Sequence, residues 1–303
     1  MSTKLKAWLS AARLRTLPLS LSGIVIGAGL AASKGFFDYK VFVLCLLTTI
    51  AYQVLSNFAN DYGDGVKGTD NDNRIGPQRT IQSGAISIAQ MRIGIAISVV
   101  ISLLLTIFLI FSAFDSKAVY LMVTFLILGV FSVIAAIKYT VGNNAYGYRG
   151  LGDLFVFVFF GLVSVVGSYY ILSQSWNWMV FLPAISVGLL SVGVLNLNNM
   201  RDIKSDKDSG KITLVVRMGS KSAKYYHYFL ISTAMLVIIV STIFNYRSPF
   251  NFLYFPVFIP LMLHLKRVYT NNDPGLLDPE LKKLALSTFL FAILYAISIN
   301  IFL

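Results

Sequence analysis

Charged residues are scarce in this sequence. They make up 13% of its 303 residues, whereas hydrophobic residues make up 56%, and the mean hydropathy is +0.73. In a soluble domain about a quarter of the residues are charged. The chain has too few charges to cover itself in water, so its composition excludes an ordinary soluble domain and predicts an integral membrane protein.

Cysteine and histidine are almost absent. The single cysteine, Cys45, lies in an apolar run, so intramolecular disulfides are excluded and a buried side chain is expected. The two histidines, His227 and His264, are isolated in sequence and lack the spacing of metal ligands. A site for a soft metal is therefore excluded. No cleavable signal is predicted, because the N-terminus lacks a short apolar core followed by small residues.

Long apolar segments, in contrast, are numerous. A helix needs about 20 residues to cross the hydrocarbon core, and a lipid-facing backbone must satisfy its own hydrogen bonds. We therefore predict an all-α bundle of nine transmembrane helices, forming one integral-membrane domain over residues 1–303. In the first span, Gly23 and Gly27 have the spacing that permits close helix packing. The spans are predicted at about 16–33, 41–60, 89–112, 118–138, 153–173, 178–200, 223–244, 249–268 and 283–303.

The basic residues indicate the orientation of these spans. Of the 25 lysines and arginines, only Lys34, Lys40, Lys117 and Arg247 fall in the connections on one side. Because Lys and Arg accumulate in cytoplasmic loops, the N-terminus is predicted to be cytoplasmic and the C-terminus outside. The basic residues behind the net charge of +12 are therefore explained by their position in cytoplasmic loops, and no nucleic-acid partner is predicted.

Two Asp-rich stretches follow the second and sixth spans, both on the cytoplasmic side. Each begins with Asn-x-x-x-Asp and has a further Asp one helical turn later, a spacing that puts the three side chains on one helix face. The positive-inside rule does not predict where acids fall, so this clustering needs another cause. The residues concerned are Asn57, Asp61 and Asp64 in the first stretch, and Asn198, Asp202 and Asp206 in the second.

The chemistry of these stretches favours Mg²⁺ as a cofactor. Neighbouring carboxylates repel one another unless a cation lies between them, and Mg²⁺ is usually held by one or two carboxylates together with phosphate oxygens. Basic residues beside the acids are explained if an anion such as diphosphate bridges the metals. We predict the six Asn and Asp residues as metal ligands. The predicted diphosphate contacts are Arg15, Lys67, Arg79, Arg201 and Lys211.

A mixed-charge solvated loop is the competing interpretation. It would suffice for one Asp-rich loop, but two copies at span ends on the same side favour a functional site. Asp153, at the start of the fifth span, either caps the helix or acts on a substrate. The nearby Tyr139, Tyr146 and Tyr148 either stack on an aromatic group or a cation, or anchor the chain at the membrane interface.

Over essentially its whole length the chain resembles the UbiA superfamily of intramembrane prenyltransferases. Within it, the motifs are most similar to the menaquinone-pathway branch that prenylates 1,4-dihydroxy-2-naphthoate. The stretches that carry the resemblance are Asn60-Asp61-Tyr62-Gly63-Asp64-Gly65-Val66-Lys67-Gly68-Thr69-Asp70, Gly76-Pro77-Gln78-Arg79, Gly150-Leu151-Gly152-Asp153, Asn198-Asn199-Met200-Arg201-Asp202 and Gly210-Lys211-Ile212-Thr213.

The resemblance implies a Mg²⁺-dependent enzyme of the bacterial plasma membrane whose active site is at the cytoplasmic face. It would transfer a polyprenyl group from polyprenyl diphosphate to 1,4-dihydroxy-2-naphthoate, releasing CO₂ and diphosphate to give demethylmenaquinol. Asp153, Tyr139 and Lys211 are the catalytic residues that it implies. The other expected partner is membrane lipid, and no protein partner can be inferred.

Two alternatives stay open. A related prenyltransferase could use another aromatic acceptor, namely 4-hydroxybenzoate, homogentisate or haem. A cation-coupled membrane transporter would instead need ionisable residues near the middle of the membrane. In this sequence the ionisable residues gather at one face, which favours the enzyme.

Overall fold

The computed structural model describes residues 3–70 and 75–301. The remaining positions include residues 71–74 of the first Asp-rich loop and the last two residues of the ninth predicted span. The regular structure of the described residues is all helix, with no strand, which confirms the all-α class. The helices are α1 (Thr3–Ala12), α2 (Leu17–Ala32), α3 (Tyr39–Val66), α4 (Ile88–Ala113), α5 (Val119–Lys138), α6 (Gly152–Val156), α7 (Ser164–Ser173), α8 (Phe181–Arg201), α9 (Ile203–Asp208), α10 (Leu214–Phe244), α11 (Phe258–Thr270) and α12 (Asp278–Asn300).

Within the described ranges, eight helical segments are long and apolar enough to cross a membrane, by length and composition. They support the prediction of a polytopic membrane bundle and cover the predicted spans other than 249–268. The segments are Thr3–Ala32, Tyr39–Val66, Ile88–Ala113, Val119–Lys138, Gly152–Ser173, Trp178–Arg201, Leu214–Phe244 and Pro274–Asn300.

The predicted eighth span, residues 249–268, is not one long helix. It consists of two 3₁₀ turns, Pro249–Phe252 and Phe255–Val257, followed by the 13-residue α11. Pro249 and Pro256 lie in the first two positions of these turns, where the missing backbone N–H of proline costs no helical hydrogen bond. Hydropathy does not report such a break, because it ignores backbone hydrogen bonding. The count of nine spans therefore stays a prediction.

This segment nevertheless extends along its neighbours. At one end, Asn251 Nδ2 donates to the carbonyl of Ser298, close to the end of α12, over 3.0 Å. At the other end, Lys224 Nζ in the first half of α10 donates to the carbonyls of Tyr269 and Asn271. The chain between α10 and α12 thus runs from one end of the helix bundle to the other.

The fifth predicted span contains a change of helix type. Between α6 and α7, residues Phe157–Val163 form a π-helix. A π-helical turn inserts an extra residue into the helix and is frequent at functional sites, because it turns side chains away from their regular positions. Here it lies beside the apolar cavity described below.

Small residues bring the helices of the core close together. A Cβ atom on Gly23 would lie 1.9 Å from Ser164 Oγ, and one on Gly27 would lie 2.0 Å from Ser168 Oγ. The predicted close packing at this glycine pair is therefore confirmed, with α7 as the partner of α2. The same helix has a second close partner, since a Cβ on Gly29 would lie 2.6 Å from Ala296 Cβ of α12.

Candidate active site

A polar cavity of about 330 Å³ lies where α3, α8 and α12 approach the turn before α2. It brings together residues that are far apart in sequence, and its lining is rich in both acids and bases. Most of the residues predicted from the sequence line it. Those residues are Arg15, Asp64, Arg79, Tyr139, Asn198, Arg201, Asp202, Asp206 and Lys211, and they are joined by Arg13, Asp278 and Lys282, which the sequence analysis did not single out.

The first Asp-rich motif lies on α3, which continues to Val66, so Asn57, Asp61 and Asp64 share a face as predicted. Asp61 is 1% exposed and does not line the cavity. Its carboxylate accepts hydrogen bonds from the Arg13 guanidinium and, over 3.1 Å, from Thr80 Oγ1.

Arg13 reaches Asp61 through an unusual backbone. Its φ and ψ angles are 49° and 54°, in the left-handed region that residues other than glycine rarely adopt. This conformation ends α1 and turns the guanidinium toward α3. An arginine held in a strained conformation against a buried acid indicates a constrained functional position. In the sequence, Arg13 is only one of the many basic residues on the predicted cytoplasmic side.

Asn57 forms hydrogen bonds with residues on both sides of the same turn. Its Nδ2 donates to the carbonyl of Ala12 over 2.8 Å and to Thr16 Oγ1 over 3.3 Å, while Gln53 Nε2 donates to its Oδ1 over 3.2 Å. The amide therefore fixes the turn between α1 and α2 against α3. Its predicted role as a metal ligand stays a prediction.

The second motif is interrupted at Asp202, where α8 ends and the short α9 begins. The carboxylate accepts two hydrogen bonds from its neighbour Arg201, from Nε over 2.9 Å and from Nη2 over 2.6 Å. Arg201 also donates to Asp278 Oδ1 over 2.5 Å and to Asn198 Oδ1 over 2.9 Å. These bonds fix the guanidinium in place. Arg201 also lines the polar cavity, and its predicted contact with diphosphate stays a prediction.

Lys211 joins the two motifs. Its Nζ lies 3.8 Å from Asp64 Oδ2 and 3.5 Å from Asp206 Oδ1. Burial alone would lower the pKa of Lys211, but the two carboxylates more than offset it and raise the pKa, so the ammonium stays charged. The preceding Gly210, with a φ of 73°, makes the turn that brings this lysine back toward the acids.

Tyr148 holds the first motif from the other side. Its hydroxyl donates to Asp64 Oδ1 over 2.8 Å, so Thr69 Oγ1, which lies 2.6 Å away, donates to the phenol oxygen. Lys67 Nζ lies 3.8 Å from the centre of the Tyr148 ring, an interaction of a cation with an aromatic face. Lys67 therefore contacts this ring and is not part of the cavity lining, and burial lowers its pKa.

An apolar cavity of about 350 Å³ adjoins the polar one. It extends along α3 and α5 and is bounded by the π-helix, and no Asp, Glu, Lys, Arg or His of the described residues lines it. Gln53, Asn60 and Tyr139 line both cavities. Burial raises the pKa of Tyr139 to about 12, so its phenol is neutral at physiological pH.

Asp153 lies beside these cavities without lining them. It is in the first turn of α6, it is 9% exposed, and its Oδ2 accepts a hydrogen bond from Tyr226 of α10 over 3.1 Å. Its role stays a prediction.

The carboxylates could hold Mg²⁺ only with help from a ligand. Among the described residues, no three Asp, Glu, His or Cys side chains form a group that could hold a metal ion, and Lys211 lies within 3.8 Å of both Asp64 and Asp206. Asp206 Oδ2 is buried and has no hydrogen-bond partner in the described part of the chain. An unpaired carboxylate oxygen suits a hard cation that takes its other ligands from phosphate oxygens.

The comparison with known proteins decides the family. The sequence model of the UbiA prenyltransferase family matches residues 20–293. The chain belongs to this family. A curated relative from Haemophilus influenzae, 1,4-dihydroxy-2-naphthoate octaprenyltransferase, is 43% identical over 99% of this chain and 98% of its own length. The protein of the same name from Escherichia coli is 41% identical over 98% and 96%.

Solved structures support the same UbiA fold. A UbiA homolog from Aeropyrum pernix K1 superposes with a TM-score of 0.69 at 15% identity, over 92% of this chain and 96% of that one. A UbiA homolog from Archaeoglobus fulgidus bound to DMAPP and Mg²⁺ gives a TM-score of 0.65 at 16% identity, over 98% and 100%. At these identities the likeness concerns the fold alone.

One polar cluster lies outside the two cavities and was missed from the sequence. His227 and His264 meet with their Nε2 atoms 2.9 Å apart, and His264 Nδ1 lies 2.7 Å from Glu280 Oε2. Asn196 Nδ2 lies 3.3 Å from His227 Nδ1. The chain of contacts joins α8, α10, α11 and α12. The sequence does not reveal this contact, because the two histidines lie far apart in the chain and meet only when separate helices pack together.

Proposed function

We propose that the protein transfers a polyprenyl group from polyprenyl diphosphate to 1,4-dihydroxy-2-naphthoate, with loss of CO₂ and diphosphate, giving demethylmenaquinol. The observation that carries this proposal is the 43% identity, over nearly the full length of both chains, to a relative named for that reaction. A charged cavity that adjoins an apolar one suits a substrate with a diphosphate head and a hydrocarbon tail.

In this mechanism the diphosphate occupies the polar cavity. Arg13, Arg79 and Lys211 supply positive charge where the leaving group gains negative charge, which is electrostatic stabilisation of the departing diphosphate. Mg²⁺, when bound by the aspartates, would supply further neutralisation of the same oxygens. As the bond from the prenyl carbon to oxygen breaks, its electron pair leaves with the diphosphate.

The prenyl chain lies in the apolar cavity, where the allylic cation is kept from water. Tyr139 lines the junction of the cavities, and its neutral ring can face the cation, which aromatic faces attract. The electron-rich naphthoate ring supplies the electron pair for the new carbon–carbon bond and loses its carboxylate as CO₂. Asp153 would act on this region through Tyr226.

We infer nine membrane crossings, with the N-terminus in the cytoplasm and the active site at the cytoplasmic face of a bacterial plasma membrane. The contacts of Asn251 with Ser298 and of Lys224 with Asn271 support a crossing by residues 249–271, in addition to the eight long helical segments. The clustering of basic residues supports the orientation, and the two relatives at 41% identity or more are bacterial.

The acceptor is tested with purified protein in detergent micelles. The protein is supplied with Mg²⁺ and one labelled prenyl diphosphate, together with 1,4-dihydroxy-2-naphthoate, 4-hydroxybenzoate, homogentisate or haem. We expect prenylated product with release of CO₂ from the naphthoate. Product with one of the other acceptors and none with the naphthoate would refute the proposed acceptor and keep the enzyme class.

The site is tested with a pair of matched variants. Asp64→Asn removes a charge from the polar cavity, and we expect turnover to fall by about 100-fold or more, as when one electrostatic contact to the reacting groups is lost. Asp208→Asn removes the same charge at the exposed end of α9, and its turnover should match that of the unmodified protein. Equal activity of the two variants would contradict the proposed site.

A cation-coupled transporter receives no support from the cavities. The apolar cavity is lined by no charged residue of the described chain. An ion that moved through such a region would lose its water without meeting a charged partner. The acids and bases lie together in the polar cavity instead. This arrangement suits a site that binds a charged diphosphate as it leaves.

A further inference from the structure

The aspartates of the two motifs are paired with cations that belong to the protein itself. Asp61 accepts from Arg13, and Asp202 accepts from Arg201. Asp64 and Asp206 share the ammonium of Lys211. A divalent cation that binds these carboxylates therefore meets positive side chains that already occupy them.

These pairs differ in how firmly they are held. Arg201 makes four hydrogen bonds of 2.5–2.9 Å to three side chains. Lys211 Nζ lies 3.5 Å and 3.8 Å from its two carboxylates, longer than a charge-assisted hydrogen bond of about 2.7–2.9 Å. The ammonium of Lys211 is also carried by a flexible four-carbon side chain, and the residue follows the turn at Gly210. Of these two cations, Lys211 can therefore change partner at the lower cost.

The carboxylates alone do not form a metal site. No three acids of the described chain converge on one point, and Lys211 stands between Asp64 and Asp206. Asp206 Oδ2 is nevertheless buried without a hydrogen-bond partner among the described residues. The acids thus offer Mg²⁺ individual oxygen ligands, but they need further oxygens, and the lysine must leave.

We propose that Lys211 is an exchangeable counterion that couples the binding of Mg²⁺ to the binding of diphosphate. Without diphosphate, its ammonium neutralises Asp64 and Asp206 and opposes Mg²⁺. With diphosphate in the cavity, the ammonium turns to the diphosphate oxygens, and both carboxylates become available to the metal. Each ligand then strengthens the binding of the other by the same factor, as linkage requires. The inference rests on the proposed function only in that a diphosphate enters the polar cavity.

The test measures binding and not turnover. Mn²⁺, as a spectroscopic substitute for Mg²⁺, is titrated into the purified full-length protein in detergent micelles and followed by electron paramagnetic resonance. The titration is repeated with a non-hydrolysable geranyl diphosphate analogue and corrected with a protein-free sample. In the unmodified protein we expect the analogue to strengthen Mn²⁺ binding by about tenfold or more, because the ammonium then pairs with the diphosphate and no longer neutralises the two carboxylates.

The variants assign this coupling to Lys211. Lys211→Met should bind Mn²⁺ without the analogue several-fold more tightly than the unmodified protein, and the analogue should then strengthen binding much less. Lys211→Arg keeps the charge and should keep Mn²⁺ binding weak without the analogue. Lys207→Met is the matched control, since it removes the same charge from an exposed position on α9, and it should behave as the unmodified protein.

Two results would overturn the proposal. One is equal Mn²⁺ affinity with and without the analogue in the unmodified protein, which can be measured whether or not Lys211→Met folds. The other is a folded Lys211→Met that binds Mn²⁺ alone no more tightly than Lys207→Met. Either result leaves prenyl transfer to the naphthoate untouched. Conversely, coupling in a protein that prenylates another acceptor would refute the acceptor and keep this inference.

Discussion

Arg201 donates hydrogen bonds to both carboxylate oxygens of its chain neighbour Asp202, over 2.9 Å and 2.6 Å. The pair lies at the end of α8, and the same guanidinium reaches Asp278 at the start of α12. Arg201 therefore orients an acid of the second motif and ties it to the last helix. This makes it a positioning residue for Asp202.

Arg201→Lys keeps the charge and loses the planar donor geometry, so Asp202 can no longer be held by two bonds. If Asp202 is a metal ligand as predicted, we expect turnover to fall by about 10- to 100-fold, which is the usual effect of losing a residue that orients a ligand. The Mg²⁺ concentration for half-maximal activity should rise, which a purely structural loss would not produce. Arg217→Lys, at an exposed position that lines neither cavity, is the control.

The binding of Mg²⁺ should weaken in mild acid. Burial raises the pKa of Asp206 to about 6, Lys211 opposes this, and the neighbouring Asp202 and Asp64 add to it. Mg²⁺ needs the deprotonated carboxylate, so a proton competes with the metal as the pH falls through about 6. The Mg²⁺ concentration for half-maximal turnover, measured between pH 5 and 8, should rise below pH 6. In Asp206→Asn that rise should disappear from the residual activity.

The apolar cavity can be narrowed at one glycine. Gly167 of α7 lines it, and a Cβ atom there would meet nothing within 4 Å. Gly167→Phe should therefore fill space that the prenyl chain needs without disturbing the backbone. We expect kcat/KM for a long prenyl diphosphate to fall by about tenfold or more relative to that for dimethylallyl diphosphate. Gly167→Ala should leave this ratio unchanged, and an unchanged ratio in Gly167→Phe would show that the chain lies elsewhere.

The histidine cluster should contribute to stability and not to catalysis. His264→Leu removes a partner of both Glu280 and His227, which are 4% and 0% exposed. Leaving buried polar groups unpaired costs about 1–3 kcal/mol, so the unfolding temperature in detergent should fall. The combined His227→Leu and His264→Leu variant should lose less than the sum of the single variants, because one unpaired imidazole is removed with its partner. An additive loss would contradict a direct interaction.

Local patterns in the sequence predict much of this protein. They do not predict which residues of distant helices contact one another. Helical periodicity correctly puts Asn57, Asp61 and Asp64 on one face of α3, because that relation lies within a single helix. The bond from Arg13 to Asp61 joins residues 48 positions apart. It depends on a left-handed turn and on the rotation of α3, and neither has a signal in hydropathy or spacing.

The same limit explains the other residues that were missed. Asp278 contacts Arg201, which lies 77 positions earlier in the chain. From the sequence alone, an acid at the start of a helix is explained by its favourable interaction with the N-terminus of that helix. The prolines near residue 250 are visible in the sequence, but the prediction of a continuous helix there rests on apolar length alone. Hydropathy reports where a chain can lie in lipid and does not report which backbone it adopts there.

The first and last membrane helices are neighbours. Gly29 of α2 packs against Ala296 of α12, and Asn300 Nδ2 donates to the carbonyl of Gly29 over 2.9 Å. Since α12 also supplies Asp278 to the polar cavity, this wall of the cavity is synthesised after both aspartate motifs. A nascent chain that has not yet reached α12 therefore carries all four motif aspartates but lacks one wall of the cavity.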